Sequence, residues 1–184
     1  MSYTTEHKQK FQALRHHIEN QDQLRRQANG GNSILFSYRP NEEHLYIKEA
    51  RERYSETAEI IDVSRLFVKF IDEHGWEAFK SYYSDDFQYS PHLLFKSDDP
   101  ETDLFDMIIT HIETACKKDK IPFLIRTGVL YGTGIENVNI MEHRTVMNLP
   151  RPLVIFYPSS LGPDDTLLFL NFKPASRYRC TLVK

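Results

Sequence analysis

Residues 152–158 read PLVIFYP, an almost uniformly apolar run held between two prolines. A strand with one wet face alternates apolar and polar side chains. A run without alternation is buried on both faces, as strands inside parallel sheets are. Three earlier runs have the same character: SILFSY at 33–38, EIIDVS at 59–64 and IPFLIRTG at 121–128. Helix-like segments separate them, and parallel strands need such crossovers. The expected fold is α/β: a mostly parallel sheet with helices on both faces, Rossmann-like or resembling a P-loop domain without its loop.

The segments around this core are less regular. Residues 4–29 read as a polar helix with a narrow stripe at Phe11, Leu14 and Ile18, stopped at Gly30-Gly31. Residues 1–29 are therefore expected to be a helical arm, and 30–184 a single domain. Asn41 is the expected cap of the next helix, and RLFVKFIDEHG after the second strand reads as another. Asp99-Pro100 opens a helix carrying Leu104, Ile108, Ile112 and Ala115 on one face. NVNIMEHRTVMNL, after the third strand, reads as one further helix. TLLFLNF and RYRCTLV read as a closing hairpin at one sheet edge.

Composition narrows the function. A chain of 184 residues, 40% hydrophobic, buries roughly 70% of its unfolded surface without staples. The net charge of −3 gives no global attraction to nucleic acid or membranes. Two cysteines, Cys116 and Cys180, fit a reducing cytosol, and a cytoplasmic protein is expected. No metal motif, GxSxG elbow or Gly-Lys dipeptide occurs. The first strand leads into SYRPNEE, where a proline and two glutamates stand in place of a phosphate loop. The glycines of RTGVLYGTGIENV, residues 126–138, follow the third strand as GxxxGxG, which departs from the dinucleotide fingerprint in both spacing and place. The expectation is no cofactor, no metal and no catalysis. If strand order reverses between strands one and three, Ser37, Arg39, Thr127, Gly128 and Ser159 would line an anion crevice. A helix bearing Lys8, Lys10, Arg15, Arg25 and Arg26 is the only candidate nucleic-acid face, and Glu6, Glu19 and Asp22 interrupt it.

The C-terminal half, PFLIRTGVLYGTGIENVNIMEHRTVMNLPRPLVIFYPSSL followed by DTLLFLNFKPASRYRCTLV, resembles the BrxB family of BREX phage-defence systems. The shared pattern is a turn at Thr127 to Val129, a proline-bracketed strand at Arg151 to Pro158, and an aromatic-arginine pair at Tyr178-Arg179. Ser159-Ser160 stand where glycine is expected after that strand. The resemblance implies a small component of a multi-protein complex whose other members include a phosphatase-like PglZ protein, a DNA methyltransferase, a large ATPase and a Lon-like protein. It carries no catalytic activity with it. A non-catalytic adaptor that binds the PglZ-like member is the leading expectation. A degenerate nucleotide- or phosphate-binding protein, or a nucleic-acid-binding subunit of the same system, is the alternative.

Residues 76–102 form an insert rich in aromatics, including Trp76, Phe79, Tyr82, Tyr83, Phe87, Tyr89 and Phe95. Large rings are frequent interface anchors. Trp76, Tyr82, Tyr83 and Phe87 are the expected partner contacts.

Overall fold

The structure is a computed structural model that describes residues 3–84, 89–97 and 103–184. In chain order the elements are α1 (Tyr3–Glu19), α2 (Gln21–Gln27), β1 (Ser33–Tyr38), α3 (Glu43–Arg53), β2 (Ala58–Asp62), α4 (Val63–His74), α5 (Trp76–Tyr82) and α6 (His92–Phe95). There follow α7 (Leu104–Lys117), β3 (Ile121–Ile125), α8 (Asn137–Met141), α9 (Arg144–Met147), β4 (Leu153–Leu161), β5 (Leu167–Phe169), β6 (Lys173–Pro174) and β7 (Cys180–Val183).

The main sheet runs β2-β3-β4-β1-β7, with every neighbouring pair parallel. β1 and β4 pair along six positions, from Ser33 opposite Leu153 to Tyr38 opposite Pro158. Successive side chains point to opposite faces, and both faces are covered. Leu35, Ile61, Leu124, Ile155 and Tyr157 join a core closed by α4, α6, α7, α8 and α9. Ile34, Phe36, Phe123, Val154 and Phe156 join a second core closed by α1, α2 and α3. This two-sided burial is the reason the strands read as unbroken apolar runs. It bears out the mostly parallel α/β sheet.

Four local expectations need correction, and a fifth lies outside the described residues. The two C-terminal segments do not pair with each other. β5 lies antiparallel on Ser159–Leu161, where β4 projects beyond the shared sheet and leaves its backbone open, and β6 pairs with β5. β7 instead adds in parallel to the free edge of β1, with Cys180 opposite Ser33 and Val183 opposite Phe36.

The N-terminal segment is a layer of the domain, not an arm. Phe11, Leu14, Leu24 and Ala28 are buried on β1 and α3, and even Lys10 is buried, its Nζ donating to the Ser37 carbonyl at 3.2 Å. Asn41 lies in a 3-10 turn, Pro40–Glu42, ahead of α3, and its side chain caps nothing. The expected helix start at Asp99-Pro100 lies outside the described residues. α7 begins at Leu104, where the Asp103 carboxylate accepts from the Asp106 amide at 2.8 Å. The helix expected over 137–149 is two short ones, because His143 turns extended and its ring caps α9 by accepting from the Thr145 amide.

Candidate functional site

The ends of the parallel strands are where open α/β sheets bind ligands, at the place where neighbouring connections leave on opposite faces. Here the chain leaves β1 for α3 on one face and β3 for α8 on the other. β4 stands between them, so β1 and β3 are not neighbours and the expected crevice between them does not form.

The five crevice candidates are placed as follows. Ser37 and Ser159 come together: the Ser159 hydroxyl donates to Ser37 Oγ at 2.9 Å and to the Tyr157 carbonyl at 3.0 Å, and both serines are buried. Thr127 is buried and donates to the Phe156 carbonyl at 2.8 Å. Gly128 packs against Leu170 and Pro158. Arg39 is separate and exposed, 3.7 Å from Glu42. Three hydroxyls that could have faced an anion are therefore bonded to the protein itself.

The glycine loop is likewise occupied internally. Arg126 takes a left-handed conformation, φ 58°, and the chain then winds into a 3-10 turn, Thr127–Leu130. Thr133 donates to the Leu130 carbonyl and accepts from the Ile135 amide. Gly134 has φ 78°, and a Cβ there would lie 2.7 Å from the Cβ of His92. Its lack of a side chain lets α6 approach the loop.

Neither cysteine is an activated nucleophile. Burial raises the Cys116 thiol above its usual range and pushes Cys180 to about 12, so neither is held as a thiolate near neutral pH. Burial, with the nearby Glu43 carboxylate, also raises Tyr38, whose hydroxyl donates to Glu43 at 2.8 Å. Among the described residues no three His, Cys, Asp or Glu side chains are grouped to hold a metal, and no helix is long and apolar enough to cross a membrane.

The aromatic insert divides into a base and a rim. Phe95 is buried and meets the rings of Phe67, Phe70, Phe79 and Tyr83 at centroid distances of 5.6, 5.7, 6.0 and 6.4 Å. Tyr83 is half-buried and stacks on Phe79 at 5.9 Å, so this expected contact belongs to the base. Trp76 is 59% exposed and Tyr82 55% exposed. Phe87 lies outside the described residues. Sequence reasoning missed Val68 and Leu93, both exposed, and named Tyr89, 88% exposed, in the insert without counting it a contact. Val68 had a legible signal: it falls between Leu66 and Phe70, which face the core, and so on the opposite side of α4.

The basic helix does not present one face. Lys10 is buried, Arg15 pairs with Glu19 at 2.7 Å, and Arg25 donates to the Leu149 carbonyl at 3.0 Å. Comparison with protein-family models, curated proteins and solved structures returns no match. The BREX resemblance thus rests on the order and spacing of the motifs themselves.

Proposed function

We propose that this chain is a non-catalytic adaptor of a BREX-type anti-phage complex in the cytoplasm, and that it binds the phosphatase-like PglZ component through the rim of the aromatic insert. The observation that carries the reading is the contrast within that insert. Trp76, Tyr82 and Tyr89 are exposed, whereas Phe79, against which Trp76 stacks, packs with Tyr83 and Phe95. Trp76, stacked on Phe79, loses little freedom on binding, which favours it as an anchor. The strand ends add support, since the Thr127 and Ser159 hydroxyls there bond within the chain.

The test is co-purification with the PglZ-like protein using Trp76→Ala and Tyr82→Ala together. Loss of the partner with an unchanged circular dichroism spectrum and melting temperature is the expected result. Each ring at a binding centre contributes about 2 kcal/mol or more, so the pair lowers affinity by several hundredfold. Unchanged capture by the folded variant rules out this surface, and failure of the wild-type chain to capture the PglZ-like protein rules out the partner.

A further inference from the structure

A second feature lies beyond the carboxyl ends of β2 and β3, apart from the insert. There α3, the start of α4 and the turn after β3 enclose a groove of about 820 Å³. Its basic side chains come from all three elements. His44, Lys48 and Arg51 follow one stripe of α3 at helical spacing, Arg65 sits in the first turn of α4, and Arg126 leaves β3 in its left-handed conformation.

Their charge is only loosely compensated. Asp62 is almost buried beneath them and caps α4, its Oδ1 accepting from the Ser64 amide and hydroxyl. Its Oδ2 lies 3.8 Å from Arg65 Nε and 3.7 Å from Arg126 Nε. Those distances exceed a hydrogen bond, so both guanidinium forks keep their donors. Lys48 is 3.9 Å from Glu52, and Arg51 makes no ion pair among the described residues. Glu43, also at the groove, is held by the Tyr38 hydroxyl. The α4 N-terminus is already capped by Asp62, so Lys48, Arg51, Arg65 and Arg126, and not the helix end, supply the attraction.

We infer that this groove binds a small phosphorylated molecule of nucleotide size. Arginine forks match phosphate oxygens bidentately. The volume suits one small ligand, and Ile47 and Val129 give the wall an apolar portion against which a ring can lie. A long polyanion fits less well. The outer rows of α3 and α4 alternate charge, with Glu49 pairing Arg53 and Glu73 near Lys69, so no basic track continues from the groove. The site also differs from a P-loop, which follows the first strand and uses backbone amides and lysine. It stands independently of the adaptor reading.

The test is calorimetric titration of the full chain with ATP, GTP and inorganic triphosphate, with a single-stranded oligonucleotide as competitor. At least one triphosphate probe is expected to bind with a Kd below about 1 mM. Arg65→Ala and Arg126→Ala are each expected to weaken it about tenfold or more, the size of a lost charged hydrogen bond. Arg15→Ala, distant on α1, should leave it unchanged. Arg65 is largely exposed, so its replacement keeps the fold. If the Arg126 variant unfolds, Arg51→Ala takes its place. Absence of binding by all three probes overturns the inference. So does binding that survives the paired arginine changes, or an oligonucleotide that binds more tightly than the triphosphates.

Discussion

Ser159 Oγ and Ser37 Oγ are 2.9 Å apart, buried at the carboxyl ends of two adjacent parallel strands. The pair joins β4 to β1 one position beyond their last paired residues, Tyr38 and Pro158, on the β4 side. A buried hydroxyl is costly without a partner, whereas loss of both hydroxyls together is close to neutral. Ser159→Ala alone is expected to lower stability by about 1 kcal/mol. The double change with Ser37→Ala should cost less than the sum of the two single ones. Urea denaturation of the four proteins measures this coupling, and strict additivity would contradict it.

Gly31 approaches β7 more closely than any side chain allows. A Cβ there would lie 2.0 Å from the Arg179 carbonyl oxygen, a backbone atom that cannot swing away. Gly31→Ala is therefore expected to push β7 off the edge of β1, at a cost above about 2 kcal/mol. Gly132 has φ 85° and open space around it, so Gly132→Ala should cost only about 1–2 kcal/mol of backbone strain. Equal effects in thermal denaturation would show that the Gly31 contact relaxes.

β1, β3 and the body of β4 were legible in the sequence because burial on both faces leaves apolar side chains on both, with only the small Ser33 and Ser37 in β1 as exceptions. β7 was not. Cys180–Val183 is short and mostly half-buried, and its choice of the β1 edge over a hairpin depends on residues far away in the chain. The stripe Phe11-Leu14-Leu24 was visible, but nothing local says that it lands on Phe36 and Tyr46. At the strand ends, the proximity of Ser37 and Ser159 followed from their positions. The inward turn of their hydroxyls did not. The stripe His44-Lys48-Arg51 was present at helical spacing, yet Arg126 reaches the same groove only through a left-handed backbone that arginine seldom adopts.

The N-terminal layer has a direct consequence. Removing residues 1–29 would expose one face of β1 and α3, where Phe36, Tyr46 and Phe156 now pack. The truncated chain is expected to be insoluble, or to bind a hydrophobic dye and melt without cooperativity. Phe11→Ala in the full chain should cost about 3–5 kcal/mol. A soluble, cooperatively melting truncation would restore the arm.

Acid should loosen the same helix. Burial lowers the His17 pKa below its usual value, with the charge of His16 adding to the shift. A histidine that resists protonation when folded makes the unfolded chain bind more protons between the folded pKa and about 6.5. Its contribution is therefore fully present above about pH 6.5 and is lost as pH falls toward the folded pKa. Melting temperature should decline on acidification through this window, and less steeply in His17→Gln. Parallel profiles for the two proteins would remove His17 as a cause.

The aromatic insert should separate into two classes of substitution. Phe95 is buried among four rings, and Phe79 meets Phe70 edge-on at 6.4 Å as well as stacking near Tyr83. Truncating the buried Phe95 opens a cavity among these rings. Phe95→Ala is expected to cost about 3–5 kcal/mol. The Tyr83 change should cost less, because half of that side chain is in water already. Trp76, Tyr82 and Tyr89 are exposed and give up little burial when shortened, so each alanine variant should stay within about 1 kcal/mol of the wild type. Chemical denaturation of the five variants, Phe95, Tyr83, Trp76, Tyr82 and Tyr89 each to alanine, gives the partition. If Trp76→Ala destabilises as strongly as Phe95→Ala, the exposed rings are supports of the fold, and the contrast behind the proposed docking face is lost.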